Sequence, residues 1–216
     1  MKSVGILGGT GPAGQGVGLR LSSAGYEVVL GSRDAERAAA IASSLDVRGG
    51  ASLTGATNEV ASACDVVVVA TPWDSAVSTV TALRDPLKGK VVISMVNALV
   101  REGRELVPLY PPRGSMAAQL AHALTESKVV GAFHHLPASE MMNLDSDLDA
   151  DVVVFSDHAD ARDEVAEMIE AMPGLRAVVA GTMSLASAVE AFTAVCISIN
   201  IRHKAHSYVK LAGLGH

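Results

Sequence analysis

The amino-acid sequence predicts an α/β protein built on a doubly wound parallel sheet, and three observations lead to this fold class. Short apolar runs alternate with helical patterns along the chain. Residues 65–70 read DVVVVA and are apolar on both faces, as expected of a central parallel strand. A glycine-rich string directly follows the first strand and opens a helix.

The predicted elements follow one another in strand–helix order. We expect strands over residues 3–7, 27–30, 51–53, 65–70, 91–94, 129–133, 152–155 and 177–179. We expect helices over residues 13–24, 35–45, 57–62, 75–83, 115–124, 161–172 and 184–205. Such repeated units are typical of a sheet with helices on both faces. We predict a first domain over residues 1–138, and a small α/β extension over 139–216 that ends in a long helix.

The composition excludes several classes of function. The 216 residues are 49% hydrophobic and 19% charged, so the chain is not disordered. With 3% aromatic residues and a net charge of −6, we expect no nucleic-acid partner. The two cysteines, Cys64 and Cys196, match no metal spacing, and with no signal peptide they indicate a reduced, cytoplasmic setting. Residues 184–201 are apolar but contain Glu190, which favours a buried or interface helix over a membrane span.

The string after the first strand fits the dinucleotide-binding pattern G-x-G-x-x-G. Its members are Gly9, Thr10, Gly11, Pro12, Ala13 and Gly14. The first glycine allows a tight turn, the second lets the backbone approach a pyrophosphate, and the third lets helix and strand pack closely. The helix N-terminus adds N–H groups and positive potential. We therefore predict a Rossmann-type dinucleotide site rather than a purely structural turn.

The end of the second strand distinguishes NADP from NAD. An NAD site places an acidic residue there to bind the ribose hydroxyls. This strand ends in Ser32 and Arg33, with Arg37 one helical turn further on, and these groups suit a 2′-phosphate. Asp34 lies past the strand end, and we interpret it as a helix N-cap. The prediction is NADP.

Two further strands end in residues that could meet a ligand. Thr71, Pro72 and Trp73 follow the fourth strand, at the edge where ligands bind such sheets, although the indole could simply be packed. His134 and His135 follow another strand and could donate hydrogen bonds, move protons or bind a metal. No third metal ligand has suitable spacing, so we expect no metal. The alternative is that both histidines bond to loop backbone.

Taken together, these residues resemble the NADPH-dependent reductases of coenzyme F420, also called F420H2:NADP oxidoreductases. The resemblance rests on five segments: Gly8-Gly9-Thr10-Gly11, Gly31-Ser32-Arg33, Thr71-Pro72-Trp73, His134-His135-Leu136-Pro137-Ala138 and the tail over residues 198–206. It spans nearly the whole chain, and the combination is specific. One departure is Asn97-Ala98-Leu99, where relatives often have Asn-Pro-Leu.

The resemblance implies an oxidoreductase that passes a hydride between NADP(H) and the deazaflavin F420, stacked face to face. It implies the following roles: Thr10, Gly11, Pro12 and Ala13 wrap the pyrophosphate; Ser32, Arg33 and Arg37 bind the 2′-phosphate; Pro72, Trp73 and Ala138 line the nicotinamide side. His134 and Leu136 would contact the deazaflavin, His134 by donating to the ring or relaying a proton and Leu136 by shape. Gly9, Gly14, Thr71, Asn97, His135 and Pro137 complete the expected cofactor-binding set.

The resemblance also bears on the C-terminal region. The cations Arg202, Lys204 and Lys210 could meet the phosphate and glutamate groups of F420, or could simply favour a helix C-terminus. In the family the long helix helps to form a homodimer. A helical stripe in this chain could serve that contact or belong to the core: Ala186, Val189, Thr193, Cys196 and Asn200.

Two other functions stay open on the sequence alone. The same scaffold could reduce a flavin or a ferric complex with NADPH. The third hypothesis is that the protein is a non-catalytic module that senses NADP or binds a partner. Turnover with F420, with another acceptor, or with none distinguishes the three.

Overall fold

The computed structural model describes residues 2–49, 51–103 and 105–214, and its main element is an eight-stranded sheet. The strands are β1 Ser3–Leu7, β2 Glu27–Ser32, β3 Leu53–Thr57, β4 Val66–Val69, β5 Val91–Ser94, β6 Leu99–Glu102, β7 Glu105–Pro108, β8 Lys128–Gly131, β9 Ala150–Phe155 and β10 Leu175–Gly181. The sheet order is β10-β9-β8-β5-β4-β1-β2-β3, and β6 and β7 form a separate hairpin. The predicted fold class, a mostly parallel doubly wound sheet, is confirmed.

Helices cover both faces of this sheet. They are α1 Pro12–Ser23, α2 Ala35–Ser44, α3 Asn58–Ser62, α4 Trp73–Ala82, α5 Arg84–Leu87, α6 Met116–Ala123, α7 Ala138–Met142, α8 Ala159–Glu170 and α9 Ala186–His203. The central strand β4 is completely buried, and its side chains alternate between two large core clusters. That double burial explains why its sequence is apolar at every position.

The structure differs from the sequence prediction in several places. Strand β9 meets β8 in the antiparallel direction, through the pair Gly131 and Phe155. Residues 99–108 form the β6–β7 hairpin, and residues 138–142 form α7, neither of which shows a clear periodic pattern. Strand β3 begins at Leu53, where the predicted strand ended.

A buried arginine anchors the segment that follows the histidine pair. Arg20 of α1 is 3% exposed, and its guanidinium donates to the backbone carbonyl oxygens of Glu140, Met141, Asn143 and Pro173 at 2.8–3.2 Å. These bonds hold α7 against α1. The backbone leading from β8 through His134 to α7 is therefore tied to the first helix of the chain.

The C-terminal tail packs along β9. Asp151 N–H donates to the carbonyl oxygen of Val209 at 2.8 Å, and the Asp151 carboxylate takes a bidentate ion pair from Arg176 at 2.7 and 2.8 Å. Lys210 pairs with Asp149. Lys210 therefore has acidic partners within the protein.

Candidate active site

The glycine-rich loop is shaped by one left-handed turn and two close approaches. Gly8 adopts a φ of 71°, so the left-handed turn lies one residue before the predicted position. A side-chain carbon on Gly9 would lie 2.9 Å from Ile6 O and 3.0 Å from Leu30 Cα. One on Gly14 would lie 2.8 Å from Gly9 Cα, whereas the nearest atom to one on Gly11 is 3.6 Å away. Gly9 and Gly14 are thus required for packing, whereas a side-chain carbon on Gly11 would make only an ordinary van der Waals contact with Gly8 O.

Helix α1 begins at this loop without a side-chain cap. Its N-cap is Gly11, Pro12 is the first helical residue, and the first turn carries no acidic residue. The free N–H groups of Ala13 and Gly14 therefore keep their capacity to bind an anion. This donor set has the chemistry that a pyrophosphate requires.

A cleft of about 570 Å³ opens at this edge of the sheet. It is lined by the loop Gly8–Gly14 except Gly9, by Ser32, Arg33 and Arg37, by Asn58, Ala70, Thr71, Pro72, Trp73, Ser75 and Thr79, and by Met95, Val96 and Asn97. The structure thus brings together the glycine loop, the end of β2, the segment after β4 and Asn97. All of these were predicted from separate parts of the sequence.

The β2 end of the cleft carries positive charge. Arg33 and Arg37 are exposed, and within the described residues neither guanidinium takes part in an ion pair. The Asp34 side chain accepts a hydrogen bond from Arg37 N–H at 3.0 Å, which confirms its assignment as the N-cap of α2. Since that carboxylate is committed to the helix, the pocket offers a hydroxyl and two guanidinium groups, a set that fits a phosphate.

A second cavity, of about 160 Å³, lies beside the first. Its walls are Ala13, Met95, Asn97, Phe133, His134, His135, Leu136, Thr193, Cys196, Ile197 and Asn200. Ala13, Met95 and Asn97 line both spaces. Two ligands, one in each space, would therefore meet at these three residues.

His134 has one ring nitrogen held and the other free. Its Nδ1 lies 3.1 Å from Asn97 Oδ1, which also accepts from Thr193 Oγ1 at 3.0 Å, while Asn97 Nδ2 donates to His134 O at 3.3 Å. Because Asn97 Oδ1 can only accept, the proton of the neutral ring is on Nδ1. Nε2 is buried and has no partner among the described residues, so it presents a lone pair.

The surroundings of His134 keep the ring neutral. It is 5% exposed and stacks on Phe155, with ring centroids 5.6 Å apart and planes 11° apart. Burial, with a smaller contribution from the neighbouring His135, lowers the pKa of His134 to about 3. The preceding Phe133 has a φ of 66°, a strained conformation for a bulky residue that turns the chain as it leaves β8.

The remaining predicted residues occupy different positions. His135 Nε2 donates to the carbonyl oxygen of Val189 in α9 at 2.7 Å, and burial lowers its pKa. Leu136 lines the second cavity, whereas Pro137 and Ala138 line neither space and instead begin α7, which packs on α1. Trp73 is the first residue of α4 and is 39% exposed.

Sequence reasoning missed several lining residues. Asn58 accepts from Gly8 N–H at 3.2 Å, and Thr193 and Asn200 come from the C-terminal helix. Thr193 was noted only as a member of a helical stripe, and Asn200 only in that stripe and in the tail segment of the resemblance; neither was expected to line a cavity. Within the described residues, no group of three His, Cys, Asp or Glu side chains could hold a metal ion.

Fold and site together define a dinucleotide-dependent oxidoreductase, and comparisons with known proteins agree. Residues 3–98 match the family model described as NADP oxidoreductase, coenzyme F420-dependent. The chain is 35% identical, over 94% of its length and 91% of the relative's, to the F420-dependent NADP reductase of Methanothermobacter thermautotrophicus. The chain therefore belongs to the F420-dependent NADP reductase family.

Two other similarities are informative. A crystal structure from Arthrobacter sp. FB24, assigned provisionally as an F420-dependent NADP reductase, has the same fold with a TM-score of 0.83 at 23% identity, covering 96% of this chain and 97% of that one. The metalloreductase STEAP3 of Rattus norvegicus is 31% identical over 87% of this chain, but this match covers only 36% of the rat protein.

Proposed function

We propose that this protein is an enzyme that transfers a hydride reversibly between NADP(H) and coenzyme F420. The observation that supports this most directly is the junction of the two cavities at Ala13, Met95 and Asn97. The bound cofactors supply the chemistry, which is hydride exchange between the nicotinamide and deazaflavin rings. The protein's own contribution is to hold two planar ligands in contact and to exclude water.

The larger cleft suits NADP. The uncapped first turn of α1 binds the pyrophosphate, and Ser32, Arg33 and Arg37 bind the 2′-phosphate. Thr71, Pro72 and Trp73 bound the nicotinamide end of the same cleft.

The smaller cavity suits the deazaflavin ring. Leu136 sets its stacking distance by shape, and His134 offers the Nε2 lone pair to a ring N–H. Because Asn97 Oδ1 keeps the proton of His134 on Nδ1, Nε2 can only accept a hydrogen bond from the deazaflavin. From the sequence we expected His134 to donate one. A proton relay through this ring is also disfavoured, because its pKa is lowered to about 3.

The proposal is tested by mixing the purified protein with NADPH and oxidised F420 and following the visible band of the deazaflavin. We expect bleaching with NADPH and far slower bleaching with NADH. Riboflavin and a soluble ferric chelate serve as competing acceptors in parallel assays. Bound NADPH with no bleaching of F420 would refute the proposed acceptor.

The ferric acceptor is a second candidate, because the rat relative is named a metalloreductase. Faster NADPH oxidation with the ferric chelate than with F420 would favour it.

Three further properties belong to the proposal. Residues 1–138 carry the NADP site, residues 139–216 complete the deazaflavin site, and the protein works in the cytoplasm.

A second copy covers the exposed face of α9, where Phe192, Val195 and Ile199 are 43–47% exposed beside the β6–β7 hairpin. By length and composition alone, Met183–His203 would suffice to cross a membrane, with a mean hydropathy of 1.6. We favour a protein contact, because the other face of this helix carries Glu190 and Thr193 into the fold.

A further inference from the structure

A buried carboxylate joins the C-terminal helix to the main domain. Glu190 of α9 is 5% exposed, and its two oxygens accept hydrogen bonds from the backbone N–H groups of Met116 and Ala117 at 2.7 and 2.8 Å. These N–H groups form the first turn of α6. The Ser115 side chain caps the next one, Ala118 N–H, at 3.1 Å.

Burying a carboxylate at this position costs free energy. Burial raises the pKa of Glu190 to about 7, against the opposing effect of the two N–H bonds. The carboxylate loses the water that solvated it, and two bonds of fixed direction replace that water. An apolar side chain in place of Glu190 would avoid this desolvation cost. It would, however, restrict the rotation and sliding of α9 less, because apolar contacts have no fixed direction.

Helix α6, which receives Glu190, rests on the strands that lead into the site. Met116 and Leu120 lie in one core cluster with Val92 of β5 and Val129 of β8. Strand β5 leads to Asn97, and β8 leads to His134. The carboxylate thus ties α9 to the framework that carries both residues.

The neighbours of Glu190 on α9 contact the site itself. Val189 O accepts from His135, and Thr193 Oγ1 lies 3.0 Å from Asn97 Oδ1 and 3.2 Å from His134 O. A helix rises about 1.5 Å per residue, so Val189 and Thr193 are only about 6 Å apart along the axis. Rotating or sliding α9 would move both contacts together.

We infer that Glu190 is a positioning residue, which by holding α9 on the first turn of α6 places Thr193 against Asn97 and His134 and so sets the shape of the deazaflavin cavity. This inference rests on the proposed assignment of F420 to that cavity. Glu190 lines neither the NADP cleft nor the second cavity, so its effect is indirect.

The test compares the variants Glu190→Gln and Glu190→Met with Ser115→Ala. Each is assayed for the KM of F420 at saturating NADPH, for the KM of NADPH at saturating F420, and for Tm. We expect the glutamate variants to raise the KM for F420 about tenfold, because a displaced α9 changes the shape of the cavity that positions the ring. The KM for NADPH should change less than twofold, because no residue of α9 lines its cleft and Asn97 is the one cleft residue that Thr193 contacts. Glutamine, which keeps one acceptor oxygen, should be the milder change.

Ser115→Ala is the matched control, because it removes a cap from the same turn of α6 without touching α9. It should lower Tm and leave both KM values unchanged. Equal rises in both KM values, an unchanged KM for F420, or glutamate variants that are both unfolded at 25 °C would overturn the inference. A wild-type protein that does not reduce F420 would instead refute the proposed function, since that result does not depend on Glu190.

Discussion

At the scale of single residues, the side chains proposed to bind the phosphate and those proposed to contact the deazaflavin ring lie in two different spaces. Arg33 and Arg37 offer cationic groups at the mouth of the NADP cleft, while His134 and Leu136 surround a smaller cavity with no charged lining residue among those described. A charged group discriminates between ligands that differ by one phosphate. The shape of the second cavity and the lone pair on His134 Nε2 would orient the flat deazaflavin ring.

Under the proposed function, we expect the cofactor preference to depend on Arg33. We expect Arg33→Ala to raise the KM for NADPH about 10- to 100-fold, because a charge-assisted bond to a phosphate contributes about 1.5–3 kcal/mol. NADH has no 2′-phosphate, so its kcat/KM should stay within about twofold. Steady-state assays with both cofactors measure this. Equal losses for NADPH and NADH would contradict the assignment.

Leu136 provides the complementary test in the second cavity. We expect Leu136→Ala to slow hydride transfer in single-turnover stopped-flow experiments by about tenfold, because a looser ring contact loses near-attack geometry. The Kd for NADPH should not change, because Leu136 does not line that cleft. An unaltered single-turnover rate would remove Leu136 from the proposed contact.

At the scale of elements, patterns with a strong period were predictable and irregular ones were not. β1, β4 and β5 are short buried apolar strands whose position the sequence indicates. Helix α7 depends on tertiary contacts such as the carbonyl oxygens bound by Arg20, and strand β7 of the hairpin packs against α9. The NADP motifs lie at strand ends and are local, whereas Thr193 reaches the site only because α9 folds back over 59 residues to His134.

The stripe on α9 illustrates the same limit. Ala186, Thr193 and Cys196 of the predicted stripe are at most 8% exposed and face the core. The exposed apolar face is a different one, marked by Phe192, Val195 and Ile199. The apolar residues run almost all around the helix, so its sequence could not tell which side meets the sheet.

Glu190 makes the docking of α9 sensitive to pH. Its pKa is raised from the ordinary value of 4.5 to about 7, so its contribution to stability is fully present below about pH 4.5 and is lost as the pH rises through 7. We expect the Tm of wild type relative to Glu190→Gln to fall by several degrees between pH 5 and 8.5.

His134 and His135 also make the Tm depend on pH, so the Tm of wild type is compared with that of Glu190→Gln at each pH. Their pKa values are lowered, so their contribution to stability is lost as the pH falls, in the opposite sense to that of Glu190. They are present in both proteins and cancel in the comparison. Parallel Tm curves for wild type and Glu190→Gln would show that the carboxylate is not buried as described.

At the scale of the whole molecule, the exposed side of α9 presents uncovered apolar side chains beside the β6–β7 hairpin. A groove of about 750 Å³ runs between this helix and the β6–β7 hairpin, with Tyr110 65% exposed at its edge. Contiguous apolar surface of this kind is typical of an interface. Because the opposite side of the same helix carries Thr193 and Cys196 into the deazaflavin cavity, a partner on this face would also stiffen the active site.

The proposed dimer is tested by Val195→Asp, with Val179→Asp as its matched control. Both valines are 47% exposed, but Val179 lies on the edge strand β10, away from the groove. A buried, unpaired carboxylate at the centre of an interface is strongly unfavourable, so we expect Val195→Asp to be a monomer in sedimentation velocity at concentrations where wild type and Val179→Asp are dimers. If the interface also supports α9, the monomer should have a raised KM for F420 and an unchanged KM for NADPH. A wild-type monomer, or a Val195→Asp dimer, would show that the face of α9 is not where two copies meet.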